Sequence, residues 1–82
     1  MTEEIAMTNE HDRVVLKVDL LEHGLMEGDV GTVVHVHPGG KAYEVEFVAL
    51  NGDTAAVVTL KASQVRGVEK MEITHARQLV SA

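Results

Sequence analysis

Residues 30–60 of the chain read VGTVVHVHPGGKAYEVEFVALNGDTAAVVTL. Two dipeptides in this stretch, Gly39-Gly40 and Asn51-Gly52, suit the tight primed turns that join antiparallel strands. Pairing outward from two-residue turns places one apolar set on a common face: Val34, Val36, Tyr43, Val45, Phe47, Ala56, Val58 and Leu60. A slip of one residue would turn either hairpin's apolar set to solvent. Because both hairpins agree, the stretch predicts a three-stranded antiparallel sheet.

The opposite face of this sheet is predicted to be mixed, with apolar residues around two carboxylates. Its cross-strand rows are predicted to be His35–Glu44–Thr59 and Val33–Glu46–Val57. An apolar patch of this kind is either covered by the chain itself or used for association with a partner or a second copy. The predicted partner-binding residues are Val33, His35, Glu44, Glu46, Val48, Val57 and Thr59.

The rest of the chain completes a small β-domain. Alternation over residues 12–18 predicts a first strand, and residues 19–29 read as a packed loop. Further strands are predicted at 30–37, 42–49, 54–60 and 65–68, with a single helical turn at 61–64. Five short strands with tight hairpins predict a mainly β fold, a small five-stranded SH3-like barrel over residues 12–68.

The two ends of the chain are predicted to lie outside this barrel. Residues 1–11 are polar and without pattern, and they predict a flexible arm. Residues 69–82 predict a C-terminal extension, either a tail or a short helix. The helix alternative rests on one apolar face and a capping Thr74; the face consists of Ile73, Ala76, Leu79 and Val80.

The charge and cysteine content of the chain limit the partners and the cellular location that we expect for it. The chain has 82 residues, no cysteine, and 13 acidic against 7 basic residues, for a net charge of -6. The basic residues are dispersed, which disfavours binding to nucleic-acid phosphates, whereas an acidic balance favours encounter with a basic protein. There is neither a secretory leader pattern nor an apolar run of ~20 residues, so we expect a cytoplasmic protein without disulfides.

Few residues are candidates for a metal-binding or catalytic role. His35 and His37 lie two apart on a strand and so share a side, with Glu44 opposite His35; these three are weak candidates for a metal site. The alternative is a surface histidine beside a glutamate. Ser63 and Ser81 lie in a turn and in the C-terminal extension, without a nucleophile motif. We therefore expect no enzymatic activity and no cofactor.

Five segments, in this order, resemble a bacterial family of short uncharacterised proteins, a domain of unknown function for which an SH3-like barrel is expected. They are DRVVL from Asp12, GDVGTVVHV from Gly28, YEVEFV from Tyr43, AVVTL from Ala56 and QVR from Gln64. The piece GDVGTV also looks like the opening of the KOW modules of ribosomal and transcription proteins. Some family members are thought to be encoded beside predicted toxins, which implies an antitoxin- or immunity-like role.

Three functions follow as hypotheses. The favoured one is a non-enzymatic protein-binding module that masks a partner, basic in charge, through the outer face of strands two to four. The second is a KOW-like accessory of the ribosome or the transcription machinery. The third is a metal-binding protein that uses His35 and His37.

Overall fold

The computed structural model describes residues 8–79, so predictions for residues 1–7 and 80–82 lie outside the described residues. Five antiparallel strands form one sheet in the order β4-β3-β2-β1-β5, which confirms the predicted mainly β, barrel-like fold. Three single 3₁₀ turns lie at Leu21–His23, Pro38–Gly40 and Ala62–Gln64. The strands are β1 (Arg13–Leu16), β2 (Val30–Val36), β3 (Ala42–Val48), β4 (Thr54–Lys61) and β5 (Val65–Gly67).

The hairpin between β3 and β4 has the register that the sequence predicts. Tyr43, Val45 and Phe47 lie opposite Leu60, Val58 and Ala56, respectively. The turn is one residue longer than predicted, because Ala49 N–H donates to Asp53 C=O (2.8 Å) across the three-residue loop Leu50–Gly52. Gly52 takes φ 99°, which suits the left-handed position that ends such a loop. A bulge between Phe47 and Val48 absorbs the extra residue.

The hairpin between β2 and β3 corrects one prediction. Its turn holds Gly39 and Gly40 at positive φ and pairs Val36 with Tyr43, as predicted. Further along, however, a bulge shifts the register, and Val33 rather than Val34 lies opposite Val45. Val33 is fully buried (0% exposed) and Val34 is 40% exposed. The prediction of Val34 in the core and Val33 on the outer face was therefore wrong.

The bulge has a physical reason in the second partner of β2. Val33 N–H donates to Asp12 C=O (2.9 Å), and His11 N–H donates to Val33 C=O (2.6 Å), so Val33 is also held on the side of β1. A strand that pairs with neighbours on both sides of a curved sheet must bend, and an inserted residue supplies the bend. The pattern of the β2–β3 hairpin alone does not contain this constraint.

The core lies on the inner face of the sheet. Its centre is Val45, which contacts no solvent, together with Val33 and Leu25. Leu25 comes from the loop between β1 and β2, as predicted for a packed loop. The remaining buried members of the cluster are Val14, Leu16, Tyr43, Phe47, Val58, Leu60 and Val65.

The C-terminal segment is held against the sheet by two ion pairs. Residues 72–79 contain no helix, so of the two alternatives the described part of the extension is a tail. The Arg66 guanidinium donates to both Glu72 oxygens (3.0 and 2.7 Å). Arg77 reaches back across the chain: Nε and Nη2 donate to the Asp29 carboxylate, and Nη2 also donates to Gly24 C=O (3.1 Å).

These ion pairs shift the pKa of Glu72 and of Arg77 toward their charged forms. The bidentate Arg66 and the N–H of Glu69 lower the pKa of Glu72 to about 2. The hydrogen bonds to Asp29 raise the pKa of Arg77. The Arg66–Glu72 pair therefore keeps its opposite charges through the neutral range and into mild acid.

Gly31 is the position in β2 that we expect to tolerate a side chain least. A Cβ there would lie 2.5 Å from Val45 Cγ1 and 2.8 Å from Phe47 Cε2. We expect Gly31→Ala to lower the free energy of unfolding by about 1–3 kcal/mol, the usual cost of overpacking, as measured by urea denaturation. Gly67→Ala is the matched control, since its Cβ would meet no atom within 4 Å. Equal stability of the two variants would contradict the close packing at Gly31.

Arg77 is expected to be the residue that fastens the C-terminal segment. Arg77→Met should raise the rate of amide hydrogen exchange at residues 69–79 and in the loop at residues 24–29. The free energy of unfolding of the sheet should change by less than about 1 kcal/mol. Hydrogen exchange followed by mass spectrometry measures both effects. Lys70→Met, an exposed residue of the same segment, is the control. Unchanged exchange in the Arg77 variant would show that other contacts hold the segment.

Candidate functional site

The outer face of β2, β3 and β4 is the surface that the sequence predicted for partner binding. The row His35–Glu44–Thr59 is confirmed, whereas Thr32 takes the place of Val33 in the row with Glu46 and Val57. Because of the bulge in β2, Thr32 and not Val33 lies on this face, and Val34 lies there as well. From here on, "outer face" means Thr32, Val34, His35, Glu44, Glu46, Val48, Ala55, Val57 and Thr59.

Glu44 is the centre of a hydrogen-bonded group on this face. His37 Nε2 donates to Glu44 Oε2 (2.7 Å), and the Thr59 hydroxyl lies 2.9 and 2.8 Å from the two carboxylate oxygens. His35 lies directly opposite Glu44 in the register, but it is the diagonal neighbour His37 that makes the contact. His35 Nδ1 instead lies 3.8 Å from Glu10 Oε2, and its ring meets that of His37 edge to face at 5.2 Å.

These donors favour the ionised form of Glu44. The hydrogen bond from His37 and then that from Thr59 lower the pKa of Glu44 below its ordinary value of 4.5. A carboxylate with a lowered pKa holds a negative charge through the neutral range and is a weak base. The group is therefore suited to attract a cation and poorly suited to remove a proton.

The second carboxylate is positioned in the same way. The Thr54 hydroxyl donates to Glu46 Oε2 (2.8 Å) from β4. Each carboxylate is thus held by a threonine of the neighbouring strand, and lone pairs remain for an external donor. Thr59 was among the predicted residues of this face but Thr54 was not, because only the bulge near the turn places Thr54 opposite Val48 and within reach of Glu46.

Exposed valines surround the carboxylates. Val34, Val48 and Val57 are 40%, 46% and 55% exposed, with the described C-terminal segment in place. The tail lines a groove at one end of the sheet together with Val30 and Leu50, and the same groove includes two residues of the outer face, Val48 and Ala55. The described part of the tail therefore borders the apolar patch at that end and leaves its three valines partly exposed.

The predicted metal candidates do not come together as ligands. Among residues 8–79, no group of three or more His, Asp or Glu side chains is arranged to hold a metal ion. His37 already uses Nε2 to hold Glu44. Over the same residues, no helix is long and apolar enough to cross a membrane.

Residues 10–67 match the model of a family described as a domain of unknown function, DUF4926. The match covers all five strands and the whole outer face, and it ends before the C-terminal segment. Neither the curated proteins nor the solved structures contain a significant match to the chain.

The pKa of Glu44 tests the geometry of the group. Because it is lowered in the folded protein, the stability that Glu44 contributes is present above pH 4.5 and is lost as the pH falls through its folded-state pKa. We expect His37→Ala to raise this pKa toward 4.5, and Thr59→Val to raise it by less, in a carboxyl NMR titration. His35→Ala is the matched control and should shift it least. A larger shift in the His35 variant would contradict the assignment.

Proposed function

We propose that this chain, which belongs to the DUF4926 family, is a non-enzymatic protein-binding module that masks a partner through its outer face. The observation that carries the proposal is the combination of two fixed carboxylates and three exposed valines on one side of strands β2, β3 and β4. The proposal includes a cytoplasmic location and an antitoxin- or immunity-like role. These two parts rest on the composition and on the resemblance given above.

The chemistry of the face favours a basic partner. Carboxylates that are already oriented bind Lys or Arg without first losing side-chain freedom, and charged hydrogen bonds of this type are among the stronger ones in proteins. The valines add apolar area beside the charges, which gives the mixture of apolar centre and polar surroundings common in interfaces. The net charge of -6 would also speed encounter with a cationic protein.

Two features support a non-enzymatic role. Glu44 has a lowered pKa, whereas a general acid or base for work near neutral pH needs a raised one. Ser63 lies in the 3₁₀ turn Ala62–Gln64 between β4 and β5, outside the paired strands that carry Glu44.

We also propose that the sheet is an SH3-like barrel. The support is the strand order β4-β3-β2-β1-β5, in which the terminal strands β1 and β5 pair, and the 3₁₀ turn that leads from β4 into β5. The β2 bulge allows one strand to belong to both halves of such a barrel.

The KOW-like and metal-binding alternatives have less support. Two of the seven basic residues, Arg66 and Arg77, are paired with Glu72 and Asp29, so they do not add to a basic surface for RNA. Asp29 belongs to the very motif that looks like a KOW opening. The metal hypothesis lacks a suitable ligand group within residues 8–79.

Substitutions on β3 test the proposed face. Tagged protein is used to capture partners from the organism that encodes the chain, and a captured protein is then purified for calorimetry. We expect Glu46→Lys and Val48→Lys each to weaken the complex at least about tenfold, since each places a cation where a cationic partner binds. Val68→Lys is the matched control: Val68 is 52% exposed but lies beyond β5.

The design separates a role of this face from a general effect of added charge. Unchanged affinity in both β3 variants would show that the partner binds elsewhere. An equal loss in the Val68 variant would show that long-range charge, and not the outer face, decides the binding.

A further inference from the structure

The loop before β2 presents three acceptor oxygens to a single guanidinium group. Arg77 Nε donates to Asp29 Oδ1 (2.9 Å), and Arg77 Nη2 donates both to Asp29 Oδ2 and to Gly24 C=O (3.1 Å). From here on, "acceptor group" means the Asp29 carboxylate together with Gly24 C=O. A guanidinium directs N–H bonds in one plane from separate nitrogens, whereas a lysine ammonium donates from one nitrogen. The acceptor group therefore suits arginine better than lysine.

The shape of this loop comes from bonds that do not involve the C-terminal segment. Leu20 and Leu25 exchange two backbone hydrogen bonds (2.8 and 3.1 Å), and Leu25 is anchored in the core. Asp29 N–H donates to Met26 C=O (3.0 Å), and Met26 N–H donates back to the Asp29 carboxylate (2.8 Å). The loop itself thus orients the acceptor group, which reduces the conformational freedom lost when a guanidinium binds.

The segment at residues 73–79 is attached to the sheet and its loops mainly through Arg77. Within residues 8–79, the hydrogen bonds of Arg77 alone connect this segment to the preceding residues. Ile73 is 90% exposed, so it adds little packing. The ion pair is partly exposed, and pairs of this kind contribute modestly to stability. An arginine from another chain therefore has only a small intramolecular advantage of Arg77 to overcome.

The charge around the acceptor group also favours a cation. Besides Arg77, the ionisable side chains that line the groove at this end of the sheet are Glu27, Asp29 and His75. Without Arg77 the groove therefore holds two carboxylates and one histidine. The family match divides the contact in the same place, since residues 10–67 include the acceptor group but not Arg77. The matched region thus contains the acceptor, and the donor comes from a segment beyond it.

We propose that the acceptor group is an arginine-recognition site, which Arg77 fills within the chain and an arginine of a partner protein fills in its place. The exchange releases residues 73–79 and uncovers Val30 and Leu50, which lie in the same groove and offer apolar area beside the arginine. This site goes beyond the proposed binding through the outer face, because it uses the loop before β2 and neither carboxylate of that face.

Replacement of the lost guanidinium by a small molecule tests the site in the full chain. In the Arg77→Ala variant, Nα-acetylarginine amide should cause saturable NMR shifts at the amides of Gly24, Met26 and Asp29, with a dissociation constant in the millimolar range. Nα-acetyllysine amide, the matched control of equal charge, should bind at least about fivefold more weakly. In the original chain the arginine compound should also bind at least about fivefold more weakly, since Arg77 competes with it.

A peptide tests the exchange between chains. The peptide EITHARQL has the sequence of residues 72–79. In excess over the isotopically labelled original chain, it should move the Nε–H signal of Arg77 toward the position of free arginine and the amide signals of residues 73–79 toward random-coil positions. The same peptide with lysine in place of its arginine is the control and should leave these signals almost unchanged.

Each outcome decides the proposal. Saturable binding that prefers arginine to lysine, that Arg77 weakens and that releases the labelled segment supports it. Shifts that do not saturate, equal binding of the two amides, or equal binding to the variant and the original chain overturn it. Asp29→Asn added to Arg77→Ala should abolish binding, and if that chain does not fold the comparison of the two amides still decides. Glu46→Lys should leave binding of the arginine amide unchanged, which separates this site from the outer face.

Discussion

The packing of Val45 between Val33 and Val58 is the contact on which the rest of the molecule depends. Val45 lies in the middle strand of the three, and both neighbours meet it in the core. With Val45 inside, the alternation of a β-strand turns Glu44 and Glu46 outward. Gly31 reinforces the arrangement, because only a residue without a side chain can lie against Val45 Cγ1 and Phe47 Cε2. The inner packing thus decides which charges the protein presents.

Much of this architecture could be predicted from local patterns. The glycine-containing turns and the alternation of β3 sufficed for the pairings of Tyr43 with Val36 and Leu60, which the structure confirms. The exchange of Val33 and Val34 could not be predicted in the same way. Two adjacent valines have the same preference for the core, and the choice between them depends on the pairing of β2 with β1, a contact between distant parts of the chain.

The candidate site was predictable to a similar degree. The row from His35 to Thr59 followed from the register, but the details within it did not. Which histidine reaches Glu44, and which threonine reaches Glu46, depends on side-chain directions near two bulges. The two carboxylates of the outer face are held by threonine hydroxyls of the neighbouring strand, so their charges are oriented before any contact is made.

Arg77 joins the end of the described chain to the loop that precedes β2. Its guanidinium reaches both the side chain of Asp29 and the backbone of Gly24, which are 48 and 53 residues away in sequence. Asp29 also accepts the N–H of Met26, so a single carboxylate organises the loop internally and receives the distant arginine. The contacts of Arg77 therefore link the C-terminal segment to this loop. Arg77 lies outside the 58 residues that match the family. Its contacts with the loop before β2 are therefore long-range contacts that the matched residues alone could not form.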